Sequence, residues 1–237
     1  MRPSVISKYT PQELERMYKN CKFQIIWVPI AALLIGSLAC SFTEAPVPAA
    51  QPPSGSSSAC AAFDAIPASA SYDTAPALLI DTAAKYFATV KMESGGEFKI
   101  ELYAAQAPIT VNSFVFLSCK GFFNGVTFHR VLEDFMAQGG DPTGTGTSGP
   151  GYEFINEDSD LVFDKAGVLA MANVGRDTNG SQFFITFGPA DFLNGGYTIF
   201  GQVVSGMDVV NSITRRDPDQ NPSFSGDAIE SVTITIE

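Results

Sequence analysis

The sequence predicts a mainly β domain, a barrel or a sandwich with two short helices, which follows an apolar segment and a tether. From about residue 86 the chain consists of short runs in which apolar and polar residues alternate, as they do in half-buried strands. Turns rich in glycine and proline separate these runs at regular spacing, and only two stretches show helical spacing. The sequence has no repeat of 20–50 residues, which excludes a propeller. Strands do not alternate with helices as a parallel sheet requires.

The first elements of the domain are predicted to be a hairpin and a helix. FATVKM and EFKIELY flank Ser94-Gly95-Gly96, which is a hairpin signal. Pro108 then opens a helix-like segment with Thr110 as the candidate N-cap, and Gly121 ends it.

The remaining elements are predicted to be strands, with one further helix. GVTFHRVL (125–132) is a strand by its pattern, and AGVLAMA and SQFFITF are strands joined through NVGRDTNG. Asn179-Gly180 in that connection is a tight-turn signal. YTIFGQVV is another strand, MDVVNSI after Gly206 is a short helix, and SVTITIE closes the chain as an alternating strand.

Composition fits a globular core with an acidic surface. Hydrophobic residues make up 45% of the chain and charged residues 16%. Nineteen Phe against one Trp predict a core built on phenylalanine. The formal net charge is −11, and residues 61–237 hold nine basic and twenty-two acidic groups. A field of that sign repels phosphates, which argues against a nucleic-acid partner.

The front of the chain is predicted to lie outside the folded domain. Residues 1–22 form a basic segment, and residues 23–42 carry no charge over a length that could cross a hydrocarbon core of ~30 Å as a helix. Lys19 and Lys22 precede this apolar segment, and no basic residue follows until Lys85. The positive-inside bias therefore places residues 1–22 in the cytoplasm and the C-terminal bulk outside it.

Three interpretations of the apolar segment remain open: an uncleaved signal anchor, a cleaved signal peptide that releases a secreted domain, and a bacterial lipoprotein signal that ends at Cys40. SLAC only partly resembles a lipoprotein box. The residues before the apolar run are long for a signal n-region, an objection that translation from Met17 would remove.

Residues 43–80 are rich in proline, alanine and serine, and we expect a tether that stays extended and mobile. The folded domain is then assigned to residues 81–237. The four cysteines suggest no disulfide framework, because Cys60 falls in the tether and Cys119 in a predicted helix. Cys119 is interpreted as a small buried hydrophobic residue.

Neither a cofactor nor a metal ion is predicted. GTGTSG (144–149) matches G-x-G-x-x-G, but a dinucleotide site needs that loop between a strand and a helix start, and prolines flank it here. His129, the only histidine, has Asp134 and Asp141 nearby but no second histidine or cysteine at ligand spacing.

Strand alternation indicates a peptide-binding surface. In GVTFHRVL it places Phe128 and Arg130 on one face and His129 on the other, and in SQFFITF it groups Gln182 with Phe184. An apolar dish with one cation and two amides at its rim can bind an extended peptide, and it holds no nucleophile. The alternative is that the apolar residues are core and Arg130 pairs with a surface carboxylate. The candidate surface comprises Arg130, Phe135, Met136, Gln138, Gln182 and Phe184.

The motifs FHRVLEDFMAQGGDPTGTG, GVLAMANVGRDTNGSQFFITF and IFGQVVSGMDVV strongly resemble the cyclophilin-type peptidyl-prolyl cis–trans isomerases. The resemblance covers about residues 86–237 in colinear order. It implies an eight-stranded antiparallel closed β-barrel capped by two α-helices, and an enzyme without a cofactor that rotates X-Pro bonds.

The resemblance also implies a role for each matching residue. Arg130 matches the catalytic arginine. Gly146 is a looser match, in a loop that is shorter by one residue. Phe192 stands where many members have a tryptophan that contacts cyclosporin, which implies weak or no cyclosporin binding, and Tyr197 replaces a pocket-lining histidine. The matches to the proline pocket are Phe135, Met136, Phe184 and Leu193, and those to the groove for the peptide backbone are Gln138, Ala172, Asn173, Val174 and Gln182.

Two functions are therefore carried forward. The first is an exported, membrane-tethered prolyl isomerase that acts as a monomeric domain on X-Pro-containing polypeptides and assists their folding. The second is a non-catalytic module that binds proline-containing peptides, or a holdase, on the same barrel.

Overall fold

The computed structural model describes residues 59–237, which lie within one compact unit. The basic segment 1–22, the apolar segment 23–42 and the tether as far as residue 58 lie outside the described residues. In the part of the chain that the structure describes, no helix has the length and apolarity needed to cross a membrane.

Eight antiparallel strands form one curled sheet in the order β3-β4-β6-β5-β7-β2-β1-β8. The predicted mainly β class and the strand count are thereby confirmed. The strands are β1 Tyr86–Met92, β2 Glu97–Leu102, β3 Arg130–Leu132, β4 Met136–Gly139, β5 Val168–Met171, β6 Phe183–Thr186, β7 Ile199–Ser205 and β8 Ile229–Ile236.

The sheet is a half-barrel, and the expectation of a closed barrel is wrong. No ladder joins the edge strands β3 and β8; a single bridge, Thr127 to Ala228, lies beside them. The predicted strand 125–132 is regular only from Arg130 onward. Gly226 passes so close to the backbone of Phe128 that a side chain at 226 would collide with it. This irregular crossing of two backbones replaces the ladder that closure would need.

The two helices lie where the sequence places them, but the cap of the first differs. Helix α1 spans Pro108–Cys119 and helix α2 spans Met207–Ser212. Thr110 is not the N-cap of α1. The carboxylate of Glu157 accepts from the backbone N–H groups of Ile109 and Thr110, at 2.9 and 2.8 Å. An acidic side chain from a distant loop thus satisfies the free N–H groups of this helix start.

The β1–β2 hairpin is confirmed, and Gly95 and Gly96 both adopt the left-handed φ that its turn requires. The tight turn expected at Asn179-Gly180 is wrong. Asn179 is fully buried and forms a bridge with Phe154, while its side-chain amide donates to the backbone oxygen of Ile155. Asn179 therefore ties two loops together instead of reversing the chain.

Two hydrophobic clusters occupy the two faces of strand β6. Phe183 and Ile185 lie in the main core, whereas Phe184 lies in a smaller second cluster, so the alternation predicted for SQFFITF is confirmed. Phe128 packs on Phe183 in the main core, which corrects its assignment to the face of Arg130. The phenylalanine-built core is confirmed by the fully buried residues Phe63, Phe98, Phe116, Phe123, Phe128, Phe163, Phe183 and Phe200.

Residues 59–80, called the strap below, pack on the domain. A disulfide joins Cys60 to Cys119 at the end of α1, so the expectations of no disulfide and of a buried free thiol at 119 are wrong. Phe63 is completely buried, with its ring centroid 5.5 Å from that of Phe116. An extended, mobile tether does not describe this part of the chain, because one covalent bond and one buried aromatic residue fix it.

Candidate active site

A pocket of about 180 Å³ opens on the face of the sheet that carries the second cluster. Strands β3, β4 and β6 supply one side of it, and the loops after β5 and before β7 supply the other. Most of the predicted site residues meet here. The lining residues are Arg130, Phe135, Met136, Gln138, Ala172, Asn173, Phe184, Leu193 and Tyr197.

Arg130 stands at the edge of this pocket without a partner. The β3–β4 register places it directly opposite Gln138, and its side chain is half-buried. Within residues 59–237 its guanidinium makes no hydrogen bond or ion pair, so the alternative of a pairing with a surface carboxylate is excluded for this part of the chain. Since a guanidinium stays protonated and presents rigid donors, Arg130 offers a permanent positive charge to whatever enters.

The floor of the pocket is apolar and fixed. Met136, Phe184 and Leu193 are at most 9% exposed. The ring of Phe163 stacks on Phe184 at 5.8 Å, and Tyr197 meets Phe184 edge-on at 5.6 Å. Because these contacts fill the space beneath the pocket, its shape is set before a ligand arrives.

A chain of amides orients the polar rim. The Nε2 of Gln138 donates to Oε1 of Gln182 at 3.0 Å, and the Nε2 of Gln182 donates to the backbone oxygen of Ser148 at 2.9 Å. On the opposite rim the Nδ2 of Asn173 donates to the backbone oxygen of Gly196 at 3.3 Å. These bonds leave the second Nε2 hydrogen of Gln138 available to a peptide carbonyl.

A larger cavity of about 580 Å³ adjoins the pocket and shares Gln138, Ala172 and Asn173 with it. Three further predicted residues, Gly146, Val174 and Gln182, line this adjoining cavity. The sequence did not indicate its outer wall, which residues 147–153 form. The two cavities together form a groove long enough for several residues of an extended peptide.

Phe192 is the one predicted site residue that lines neither cavity. It is 76% exposed, and its ring lies 5.4 Å from that of Phe135. Phe192 therefore extends the apolar lip outside the pocket, where it can meet only a ligand that protrudes.

Asp141, which the sequence suggested only as a rejected metal ligand, organises the loop beside the groove. Its buried carboxylate accepts from the backbone N–H groups of Thr143 and Ser148, at 2.7 and 3.1 Å, and from the Thr143 hydroxyl. Burial alone would raise the pKa of Asp141, but these hydrogen bonds outweigh it and lower the pKa to about 2. The ionised Asp141 thus fixes Ser148, which in turn holds Gln182.

His129 takes no part in the pocket. Its ring is 2% exposed, and neither ring nitrogen has a hydrogen-bond partner among the described residues. Burial lowers the pKa of His129, and the positive charges of Arg216 and Arg130 lower it further, against the opposing effect of Asp141. The imidazole is therefore neutral near pH 7 and serves packing.

Within residues 59–237, an apolar pocket, an adjoining groove and an unpaired arginine lie together on the half-barrel, an arrangement suited to an extended peptide. The sequence profile of the family described as "Cyclophilin type peptidyl-prolyl cis-trans isomerase/CLD" matches residues 87–234. The chain therefore belongs to the cyclophilin-type peptidyl-prolyl cis–trans isomerases, enzymes that rotate the bond preceding proline.

Relatives are found in animals and in bacteria. The chain is 51% identical over 124 residues to peptidyl-prolyl cis-trans isomerase-like 1 of Mus musculus, covering 51% of this chain and 75% of that protein. It is 46% identical over 127 residues to peptidyl-prolyl cis-trans isomerase B of Bacillus subtilis, covering 53% of this chain and 89% of that protein.

Solved structures resemble the fold as well. A cyclophilin-type isomerase of Cryptosporidium parvum superimposes with a TM-score of 0.56 at 34% identity, covering 63% of this chain and 97% of the other. A second structure of that protein was determined in the presence of the dipeptide Ala-Pro and gives the same TM-score at 32% identity, covering 62% of this chain and 98% of the other.

Proposed function

We propose that this chain accelerates rotation about X-Pro bonds in exported polypeptides and thereby assists their folding. The observation that carries this proposal is the unpaired Arg130 at the edge of a preformed apolar pocket. The pocket takes the proline ring, and Arg130 acts on the bond that precedes it.

The reaction needs charge stabilisation and no covalent chemistry. Resonance holds the X-Pro amide planar with a barrier of ~18–20 kcal/mol, and uncatalysed exchange takes tens to hundreds of seconds. As the bond twists, the proline nitrogen becomes pyramidal and its lone pair localises. The guanidinium of Arg130 donates to that lone pair and stabilises the twisted state more than the planar one, which lowers the barrier.

Rotation also requires that one side of the bond be held while the other turns. The apolar contacts of Phe135, Met136, Phe184 and Leu193 hold the proline ring. Gln138 and Asn173 hold neighbouring peptide groups, and the adjoining cavity with Gly146, Val174 and Gln182 receives the flanking residues. The amide chain described above supports this role, because it fixes the rim before substrate binds.

Export is the second part of the proposal. A disulfide between Cys60 and Cys119 supports it, since structural disulfides persist in oxidising compartments and are rare in the cytosol. The uncharged segment 23–42 serves as the signal or membrane anchor, and the domain works as a monomer outside the cytoplasm. Intact-mass analysis of the membrane fraction distinguishes a lipidated Cys40, a cleaved terminus and an unprocessed anchor. Recovery of the chain only from the cytosol, with Cys60 and Cys119 reduced, would contradict export.

A protease-coupled assay on an X-Pro peptide tests the isomerase. The full chain should accelerate the slow cis-to-trans phase in proportion to its concentration. A chain that bound the peptide without any acceleration over background would instead be the non-catalytic binding module or holdase.

A further inference from the structure

The strap continues from its disulfide to the back of the substrate groove. The family match begins at residue 87, so residues 59–80 precede the part of the chain that matches the family. Nothing in the catalytic pocket explains why this segment is held by both a covalent bond and a buried ring. Its contacts beyond Phe63 indicate what it supports.

The strap is anchored at both ends on helix α1. At its start Cys60 is bonded to Cys119. At its end Asn112, which is 2% exposed, accepts from the backbone N–H of Leu79 at 2.9 Å and donates to the backbone oxygen of Ala77 at 2.9 Å. These two attachments hold the strap against the domain at both ends.

What lies between them is the outer wall of the adjoining cavity. The backbone N–H of Tyr72 donates to the backbone oxygen of Pro150 at 2.8 Å, and the ring of Tyr72 packs edge-on against Phe116 at 4.8 Å. Gly151 lies against the strap with so little space that a Cβ there would come within 2.6 Å of the Tyr72 oxygen. Pro150 and Gly151 line the cavity from the other side.

The neighbouring residue of the wall is tied to the same helix. Tyr152 also lines the cavity, is 8% exposed, and shares a hydrogen bond of 2.8 Å with the hydroxyl of Ser113 on α1. The wall 150–152 is therefore held by two supports, the strap behind Pro150 and helix α1 behind Tyr152. Only the first of these depends on the disulfide.

We propose that the strap is part of the substrate groove and that the Cys60–Cys119 disulfide, through Tyr72 and Pro150, sets how well the chain binds residues flanking the X-Pro bond. This inference rests on the proposed function, in which the adjoining cavity receives those residues. No residue of the strap lines the pocket that takes the proline ring, so turnover of a minimal X-Pro peptide does not depend on the strap. Turnover of an extended peptide does.

The experiment compares two peptides with the full chain, a minimal one with one residue on each side of X-Pro and one of about eight residues. We expect treatment with a thiol reductant to lower kcat/KM for the long peptide by roughly fivefold, the effect of losing about one hydrogen bond's support, with little change for the short one. A chain carrying both Cys60→Ser and Cys119→Ser should show the same lowered ratio of kcat/KM for the long peptide to kcat/KM for the short one, and the reductant should not change it.

Two variants that keep the disulfide test the contact itself. Tyr72→Pro removes the N–H that donates to the oxygen of Pro150, together with the ring that packs on Phe116, and should lower the long-to-short ratio. Asp73→Ala, at the exposed neighbouring position, leaves that N–H and the Tyr72 ring in place and should behave as wild type. Melting curves verify that each variant is folded at the assay temperature.

The outcomes distinguish a failure of the proposed isomerase function from a failure of the proposed role of the strap. No acceleration of either peptide would sink the proposed function. Acceleration of both with a ratio that ignores the reductant and Tyr72→Pro would sink the role of the strap alone. An equal loss on both peptides would also overturn it, since that pattern signals general destabilisation and not a groove defect.

Discussion

Removal of the Cys60–Cys119 disulfide should cost the domain a large part of its stability. The bond closes a loop between positions 59 apart in the sequence. Closing a loop of about 60 residues removes chain entropy from the unfolded state worth roughly 4 kcal/mol at 25 °C. A typical domain is stable by about 5–15 kcal/mol, so the perturbation is large on that scale.

The packing of the strap should keep the reduced chain folded despite this loss of stability. Phe63 is fully buried against Phe116, and burying a phenylalanine contributes about 1.5–3 kcal/mol that does not itself require the bond. The reduced chain should therefore remain folded at room temperature with the strap loosened. For a domain of this size a loss of about 4 kcal/mol lowers the melting temperature by roughly 10 °C.

The assay is thermal unfolding of the full chain with and without reductant, and the chain carrying Cys60→Ser and Cys119→Ser is the control. Wild type should melt roughly 10 °C lower when reduced, and the double variant should melt at that lower temperature in both conditions. A shift in wild type of less than about 2 °C would refute the assignment of the strap as a stabilising part of the fold.

Three further predictions follow from single side chains. Burial lowers the pKa of His129, the only histidine, below its unfolded value. The unfolded state therefore gains the proton first, and stability should fall as pH drops below about 6.5. Urea midpoints at pH 7.5 and 5.5 measure this loss, and His129→Gln should make the two midpoints more alike. Glu157→Gln leaves the start of α1 without its charged cap and should cost about 1 kcal/mol in urea unfolding, whereas Asp160→Asn, a matched exposed site, should cost nothing measurable. The resemblance implies weak cyclosporin binding because Phe192 lacks an indole N–H. Phe192→Trp adds that N–H on the exposed lip and should tighten cyclosporin binding by roughly tenfold in a titration, and an unchanged affinity would contradict this role of Phe192.

The sequence predicted those parts of the fold that repeat a local pattern. Alternation in SQFFITF assigned Phe183 and Phe184 to opposite faces, and the structure places them in different hydrophobic clusters. Alternation also placed Arg130, Gln182 and Phe184 on one surface. It did not predict strand β4, which sets Gln138 opposite Arg130. The motifs shared with the family also predicted site residues in loops, such as Asn173 and Leu193, which strand alternation cannot place.

The errors of the sequence-based prediction come from contacts between distant segments. Alternation assigned Phe128 to the wrong face because Gly226 crosses close to the backbone at that point. No residue near Phe128 in the sequence indicates that contact. The helix cap at Glu157 and the partner of Cys60 lie 47 and 59 positions away from the groups they meet. Composition suggested a mobile segment up to residue 80, since Pro, Ala and Ser outweigh the few apolar anchors that decide the packing.

The central claim is that the Arg130 guanidinium stabilises the twisted X-Pro bond, and its direct test is kcat/KM of Arg130→Ala in the protease-coupled assay. Arg176→Ala is the control, because it removes an exposed arginine that is paired with Asp158 and lies outside the pocket. We predict that Arg130→Ala loses about a hundredfold or more in kcat/KM with an unchanged melting temperature, whereas Arg176→Ala retains wild-type turnover. A folded Arg130→Ala chain that turned over its substrate like wild type would contradict the claim.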